Sequence, residues 1–225
     1  MAEEKVASVE RALGVLDAFS DQRPALSLHE LAEATGLYKS TLLRICRSLE
    51  SMGYLRRTED KDFRLGPSLY RLGSLYSRSL KLSDHVYPVL DRLVAETNEC
   101  ASFYIRDRGQ RVCLYRRASE ARMRHHMNEG ERMPLDRGAS GRILVAFSGE
   151  PGEFYDKVRR KGWYLSMGEF DANIAAIAAP VIGRDGRLAS LAVSGLLSRF
   201  NKPIVAKYSK MVLREAAELS RTLGG

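Results

Sequence analysis

Cysteine is scarce in this chain, and its placement argues against two structural classes. Three cysteines occur among 225 residues; Cys46, Cys100 and Cys113 are far apart and form no C-x-x-C pair. An odd number at such spacing favours neither a disulfide framework nor a zinc site. We interpret all three as small buried apolar residues and predict no metal and no cofactor.

Long apolar runs are also missing. No stretch approaches the roughly 18–20 apolar residues of a membrane-spanning helix. The opening residues, MAEEKVASVERALGV, carry acidic side chains where a signal peptide carries basic ones. We therefore expect a protein that stays in the cytoplasm without a membrane partner.

Short catalytic motifs are absent as well. The chain has no G-x-S-x-G, H-E-x-x-H, Walker or G-x-G-x-x-G sequence. The nearest match, GASGR at residues 138–142, lacks the second glycine of a nucleophile elbow. We predict that the protein is not an enzyme and keep catalysis as a remote alternative.

The formal net charge is +8 and the isoelectric point is near 9.5, which would suit nucleic-acid binding. The excess, however, is not in the first part of the chain. Residues 1–66 hold 10 Lys and Arg against 11 Asp and Glu, whereas residues 106–142 hold 10 against 5. Local pattern must therefore carry any argument about DNA.

Residues 1–66 read as three helices followed by a basic hairpin. Apolar periodicity predicts a helix over 6–19, and Ser27 with Glu30 forms a capping box at the start of a second helix, which Gly36 ends. A third helix is predicted from about Tyr38 to Met52. Two short extended runs, 54–58 and 63–65, follow. This order is typical of a winged helix-turn-helix.

In such a fold the second helix of the pair enters the major groove and the hairpin follows a phosphate backbone. Arg44 is the best candidate for reading a base edge, and the hydroxyls near the helix start suit phosphates. The predicted DNA-binding residues are Ser27, Tyr38, Lys39, Ser40, Thr41, Arg44, Arg47, Arg56, Arg57 and Arg64.

A charged stripe on a single helix is more often its solvated face. The capped preceding helix, the glycine turn and the arginine-rich hairpin together favour the DNA interpretation. A winged helix that docks a protein instead of DNA remains an alternative, and it predicts no salt-sensitive DNA affinity.

Residues 67–82 are predicted to form a linker helix that starts at Pro67. Leu69, Leu72, Tyr76 and Leu80 recur on one face at helical spacing. That stripe could pack on its own domain or join two chains, and we keep both possibilities, the second as a predicted homodimer or dimer of dimers.

Residues 83–225 alternate helices and strands, which predicts an α+β domain with helices at both ends of a mixed sheet. CASFYIR and RVCLYRRA flank a hairpin turn, and RMRHHMN is a candidate strand in which His125 and His126 would point to opposite faces. Helices are predicted over 84–97, 140–147, 153–161 and 203–223, and two further strands at AAIAAPVI and RLASLAVSG.

Several stretches taken in order resemble one family over nearly the whole chain. They are SVERALGVLDAF, LSLHELAEATGLYKSTLLRICRSLESMGYLRR, FRLGPSLYRLG, GERMPLDRGASGRILVAF, SMGEFDANIAAIAAPV and LAVSG. The sequence resembles the IclR family of bacterial transcriptional regulators. The resemblance implies a winged helix joined to an effector-binding domain of GAF/profilin-like fold, dimers or dimers of dimers on palindromic double-stranded DNA, and control by a small molecule, often an organic acid.

The resemblance also implies where an acid would bind, namely at Gly138, Ala139, Ser140, Gly141 and Ser194. The residue types agree, because small residues at a helix start leave backbone amides open to a carboxylate. Considered alone, the GASG run could equally be a tight loop and Ser194 a satisfied core hydroxyl.

Ser166 and Ala176 stand where glyoxylate-responsive relatives carry an acidic residue and a cysteine, so we expect a different acid, one that can be aromatic. Met127, Met133 and Trp163 are further candidates for the wall of an effector site. Each of the three is more often plain core.

Overall fold

The structure, a computed structural model, describes residues 6–80, 82–121, 127–183 and 186–224. The chain forms two compact units, Met1–Leu80 and Lys81–Gly225. The predicted strand at RMRHHMN falls largely on residues 122–126, so that strand, His125 and His126 lie outside the described residues.

Within its described residues, the first unit contains four helices and a small antiparallel sheet. The helices are α1 (Ala7–Asp17), α2 (Leu28–Thr35), α3 (Lys39–Ser51) and α4 (Pro67–Leu80), and the strands are β1 (Ala25–Leu26), β2 (Leu55–Arg57) and β3 (Phe63–Leu65). The sheet has the order β1-β3-β2. Its core includes Leu31, Leu42, Cys46 and Phe63.

Local sequence chemistry explains the bounds of α2. The Ser27 hydroxyl accepts from the Glu30 backbone N–H at 3.2 Å, and the Glu30 carboxylate accepts from the Ser27 N–H at 2.8 Å. Gly36 ends the helix in the left-handed conformation at φ 68°. The predicted capping box and the C-terminal glycine are both present.

Two features of this unit differ from the sequence-based picture. Val9 and Leu13 belong to the apolar periodicity that predicted the first helix, yet they are 53% and 56% exposed, and Val15 is the core residue instead. Strand β1 was not predicted, because its two residues gain strand geometry only from pairing with β3.

The second unit, over the residues that the structure describes, is a six-stranded sheet between two helical layers. Its strands are β4 (Cys100–Asp107), β5 (Gln110–Arg117), β6 (Arg132–Pro134), β7 (Tyr164–Met167), β8 (Ile174–Ile182) and β9 (Leu188–Leu196). The order is β6-β5-β4-β9-β8-β7. Every pairing is antiparallel, so the prediction of a mixed sheet is wrong.

Successive side chains along each strand point to opposite faces of the sheet, so this unit has two separate cores. One face packs on α5 (Ser83–Thr97) and α8 (Lys202–Gly224), with Phe103, Ile177 and Leu191 among its buried residues. The other packs on α6 (Ala139–Phe147) and α7 (Glu153–Lys161) through Tyr104, Ala178 and Ala192. The second face holds the cavity described below.

Candidate nucleic-acid interface and effector cavity

Helix α3 exposes a polar stripe opposite its buried face. Leu42, Cys46 and Leu49 enter the core, while Arg44 and Arg47 are exposed. Of the other predicted DNA-binding residues on this helix, Lys39 and Ser40 are exposed and Thr41 is half-buried. The stripe is therefore accessible along its length.

The start of α3 leaves its backbone amides available. Tyr38 occupies the N-cap position without a side-chain capping bond, and its ring is 86% exposed. Uncapped first-turn amides carry the partial positive charge of the helix end and favour phosphate oxygens. Ser27, another predicted DNA-binding residue, is less available to a phosphate, because its hydroxyl is bonded to Glu30 in the capping box.

The predicted wing is the β2–β3 hairpin. Arg56 and Arg64 are opposite each other in the antiparallel register and both are exposed. Like charges at facing positions repel, which an incoming phosphate backbone would relieve. The hairpin turn is fixed by the Asp62 N–H, which donates to the Thr58 hydroxyl at 3.1 Å.

Arg57 is partly committed within the protein. Its Nε lies 3.4 Å from Glu50 Oε1, and its guanidinium carbon lies 4.5 Å from the centre of the Phe63 ring. Its side chain is 40% exposed. Arg56 and Arg64 are thus better placed than Arg57 to meet phosphates.

A cavity opens between α6 and the sheet. Its volume is about 30 Å³, which is room for about two water molecules. The lining residues are Tyr104, Arg111, Met127, Gly138, Ala139, Ser140, Ser166, Phe170, Asp171, Ile174, Ala176, Ala192 and Ser194. An organic acid would therefore have to displace lining side chains in order to enter.

The first turn of α6 forms one wall. Gly138 precedes it at φ 76°, a left-handed conformation that disfavours other residues. Among the described residues, no acceptor bonds the amides of Ala139, Ser140 and Gly141, and no side chain caps the helix. This wall presents donors to the region beside the cavity.

Glu169 sits beside the same turn. Its carboxylate accepts from the Gly138 N–H at 3.2 Å and from the Tyr164 hydroxyl at 2.8 Å, and Arg142 Nε is 3.5 Å away. Burial, followed by the bond to Glu169, raises the pKa of Tyr164 to about 12. The tyrosine is therefore a stable hydrogen-bond donor at neutral pH.

Two serines line the cavity from the strands on either side of β8. Ser166 on β7 and Ser194 on β9 both pair in register with Ala176, which lies on β8 between them. Both serines are buried, at 4% exposure. The Ser166–Ala176–Ser194 row combines two polar groups with a small residue that leaves space between them.

The cavity brings together most of the predicted effector residues but not all of them. Met133 is 1% exposed and belongs to the core beneath α6, and Gly141 is buried, with the Leu135 carbonyl 2.6 Å from where a side-chain carbon would start. Trp163 packs against the opposite core, with the Lys161 ammonium 3.5 Å from its ring centre. The prediction that Trp163 belongs to the wall of the effector site is corrected by this placement.

Seven lining residues were not among the predicted effector residues: Tyr104, Arg111, Phe170, Asp171, Ile174, Ala176 and Ala192. Arg111 is 4% exposed, on β5. The alternation of strand residues offered a signal, because Arg111 is two positions from Cys113, which was interpreted as buried. Phe170 supplies the aromatic wall that was assigned to Trp163.

Helix α4 carries an exposed apolar stripe. Leu72 is 39% exposed and Tyr76 is 51% exposed, while Leu69 is half-buried. The side chain of Leu80 lies outside the described residues.

Comparison with known proteins identifies the family. Residues 8–59 match the IclR helix-turn-helix domain, and residues 75–156 and 153–221 match the domain described as bacterial transcriptional regulator IclR C-terminal. The chain belongs to the IclR family. As an IclR-family transcriptional regulator it combines a DNA-binding helix-turn-helix with an effector domain.

Known IclR-family proteins are similar over the full length. The HTH-type transcriptional regulator KipR of Bacillus subtilis (strain 168) is 25% identical over 243 residues, which cover 96% of this chain and 97% of KipR. An IclR-family structure from Alicyclobacillus acidocaldarius superposes with a TM-score of 0.85 at 24% identity, covering 98% of this chain and 100% of that one.

A second IclR-family structure was solved with a ligand. The homologue from Microbacterium hydrocarbonoxydans, complexed with 4-hydroxybenzoate, has a TM-score of 0.83 at 20% identity and covers 96% of this chain and 99% of that one. These likenesses establish the shared fold. Within the described residues, no helix is long and apolar enough to cross a membrane.

Proposed function

We propose that this regulator binds a palindromic operator as a homodimer or dimer of dimers and that a small organic carboxylate in the cavity changes its operator affinity. Residues 1–66 would bind DNA, 67–82 would link and pair the chains, and 83–225 would bind the effector. The observation that carries the proposal is the uncapped first turn of α6 beside the cavity.

The DNA part of the proposal rests on the stripe of α3 and the wing. Arg44 would read a base edge, while Arg56 and Arg64 would contact phosphates and contribute affinity for every sequence. Ser40, Thr41 and the uncapped amides would fix the helix end on the backbone. Ser27 would contribute through the start of α2, whose geometry it caps.

The effector part rests on complementary chemistry. A carboxylate would accept from the Ala139–Gly141 amides and from Ser194, with Ser166 as a further donor. Apolar contacts from Met127, Ile174 and Phe170 would cover the remainder of a ligand. The 4-hydroxybenzoate complex of the Microbacterium homologue makes aromatic acids the first class to test.

Coupling of the two sites requires little energy. A tenfold change in operator affinity corresponds to about 1.4 kcal/mol of ligand preference between two arrangements of the protein. The linker helix α4 would transmit that preference, since it joins the two units in sequence.

The experiment is fluorescence anisotropy with DNA from upstream of the gene, repeated with 4-hydroxybenzoate, benzoate and short aliphatic acids. Ser194→Ala should weaken acid binding about tenfold in calorimetry because it removes a charge-assisted hydrogen bond. The matched control is Ser119→Ala, at a buried serine that bonds the Asn98 carbonyl outside the cavity lining. Salt-insensitive DNA affinity would favour a protein-docking module, and DNA affinity unaffected by every acid would refute effector control.

A further inference from the structure

Arg111 is a buried cation without a fixed partner in the described part of the chain. It is 4% exposed, its Nε is buried and makes no hydrogen bond, and no carboxylate lies within ion-pair distance of it in those residues. Burial lowers the pKa of Arg111, as the loss of water around a cation requires. Buried arginines are otherwise almost always paired.

Three acidic groups lie near Arg111 or line its cavity, and each already has a partner. Asp171, in the cavity lining, accepts from the Asn173 N–H at 2.8 Å. Glu169 bonds the Gly138 N–H and the Tyr164 hydroxyl, and Asp136 pairs with Arg137 at 3.1 Å. The guanidinium therefore lacks the close counterion that usually accompanies a buried charge.

Aromatic rings flank the guanidinium. Its central carbon lies 5.7 Å from the centre of the Tyr104 ring and 5.3 Å from that of Phe170. A ring attracts a cation without accepting a strong hydrogen bond, so the N–H donors of the guanidinium still lack an anionic acceptor.

The guanidinium also lies beside the start of α6. A side-chain carbon on Gly138 would fall 2.9 Å from Arg111 Nη1 and 3.0 Å from Nη2. The absence of a side chain at Gly138 thus lets the arginine approach the turn whose amides have no acceptor. A fixed cation and a helix N-terminus meet at one point of the cavity.

We infer that Arg111 is the residue that selects the charge of the effector, by pairing edge-on with its carboxylate against the first turn of α6. This inference rests on the proposed effector function. The recognised class is a planar monocarboxylate, because both oxygens can then meet the guanidinium edge between the two rings. Amides and alcohols of the same shape are rejected because they leave the buried cation unpaired.

The first test needs no effector. Arg111→Met keeps the length of the side chain and removes a buried charge, so the ligand-free variant should melt about 3 °C above the wild type. Arg106→Met is the control, because Arg106 pairs with Arg111 in register but is exposed and lies outside the cavity. A melting temperature of Arg111→Met below that of the wild type would show a structural role and overturn the inference.

The second test is calorimetry with benzoate, 4-hydroxybenzoate, benzamide and benzenesulfonate as probes. Wild type and Arg106→Met should bind the carboxylates and not benzamide, and Arg111→Met should lose about 100-fold in carboxylate affinity. Benzenesulfonate should bind more weakly than benzoate, because its third oxygen lies outside the guanidinium plane and needs additional space in a narrow cavity.

The outcomes separate the inference from the proposed function. Equal carboxylate binding by Arg111→Met, or equal binding of benzamide by the wild type, overturns the role of Arg111 and leaves effector control standing. Arginine-dependent carboxylate binding without any change in DNA affinity supports the inference and refutes effector control. Binding of no carboxylate by the wild type overturns both.

Discussion

Arg56 and Arg64 face each other across the two antiparallel strands of the wing, with both side chains exposed. Two cations at facing positions destabilise a hairpin in isolation. The same pair doubles the local positive charge where a winged helix meets the phosphate backbone. The repulsion between the two arginines lowers the folding stability of the wing slightly, and the same two charges give it a surface that suits a polyanion.

That relationship predicts the behaviour of Arg64→Thr. The free energy of unfolding of the first unit should rise by about 0.5 kcal/mol, since repulsion is removed and threonine suits a strand. Affinity for specific and random DNA should fall together, and the slope of log affinity against log salt should decrease by about 1. Anisotropy at several salt concentrations measures both, with the exposed Arg11→Ala on α1 as a charge-matched control. An unchanged slope would remove the wing from the DNA interface.

Arg44→Ala should act differently, because Arg44 is predicted to read a base. We expect specific binding to weaken by about 1–3 kcal/mol while random-sequence binding changes less. Competition binding with single-base operator variants should show relaxed preference at one position. If discrimination among those variants stays as in the wild type, the base-reading assignment is wrong.

Gly195 lies directly against the buried ion pair of Glu99 and Arg199 in the second unit. A side-chain carbon there would lie 2.0 Å from Glu99 Oε2, and Glu99 is 2% exposed and bonded to Arg199 Nη2 at 2.5 Å. Gly195→Ala should destabilise this unit by about 3 kcal/mol, because it displaces a buried pair. Urea unfolding followed by circular dichroism measures the loss. Gly14→Ala, in open space on α1, should be neutral or slightly stabilising; similar losses in both variants would contradict the packing argument.

Cys46 makes the stability of the first unit depend on alkaline pH. Burial, followed by the charge of Glu50, raises the pKa of Cys46 to about 11. The unfolded chain therefore releases this proton at lower pH than the folded one, so stability is intact below the unfolded pKa of about 9 and is lost as pH rises through about 11. Urea unfolding at pH 8, 9.5 and 10.5 should show a steeper decline for the wild type than for Cys46→Ala. Parallel declines would exclude Cys46 as the source.

The exposed stripe of α4 predicts self-association. Leu72→Lys should place a charge in the seam and shift a micromolar dimer towards monomer, as sedimentation velocity would measure. Tyr70→Lys is the matched control, because Tyr70 is 82% exposed on the same helix but lies about 100° around it from Leu69. A monomeric wild type, or dissociation by both variants alike, would refute pairing through this stripe.

Helix bounds could be predicted accurately from the sequence where local residues mark the start and the end of the helix. The capping box predicted α2, the acidic start and Gly162 fit α7, and both follow from contacts within a few residues. Strands β1, β6 and β7 were missed because they are two to four residues long and depend on partners far along the chain.

The cavity was predictable only in part, for a similar reason. The GASG turn and Ser194 could be assigned through resemblance, whereas Phe170 enters through a loop whose path no periodicity describes. Arg111 lies in a basic stretch that resembles a solvated surface, and a register shift between Phe103 and Tyr104 obscures which face of β5 is buried. Trp163 was misassigned because a single aromatic beside a short strand could point to either face.

Ala176, between Ser166 and Ser194, is a position at which a larger side chain would change the shape of the cavity. Alanine and valine codons differ at one base, so a lineage could narrow the space at Ala176 or Ala192 in a single mutational step. Neither position lies in the unit that holds the wing and the recognition helix. A substitution at either alanine would therefore change the shape of the cavity without altering any residue of α3 or the wing.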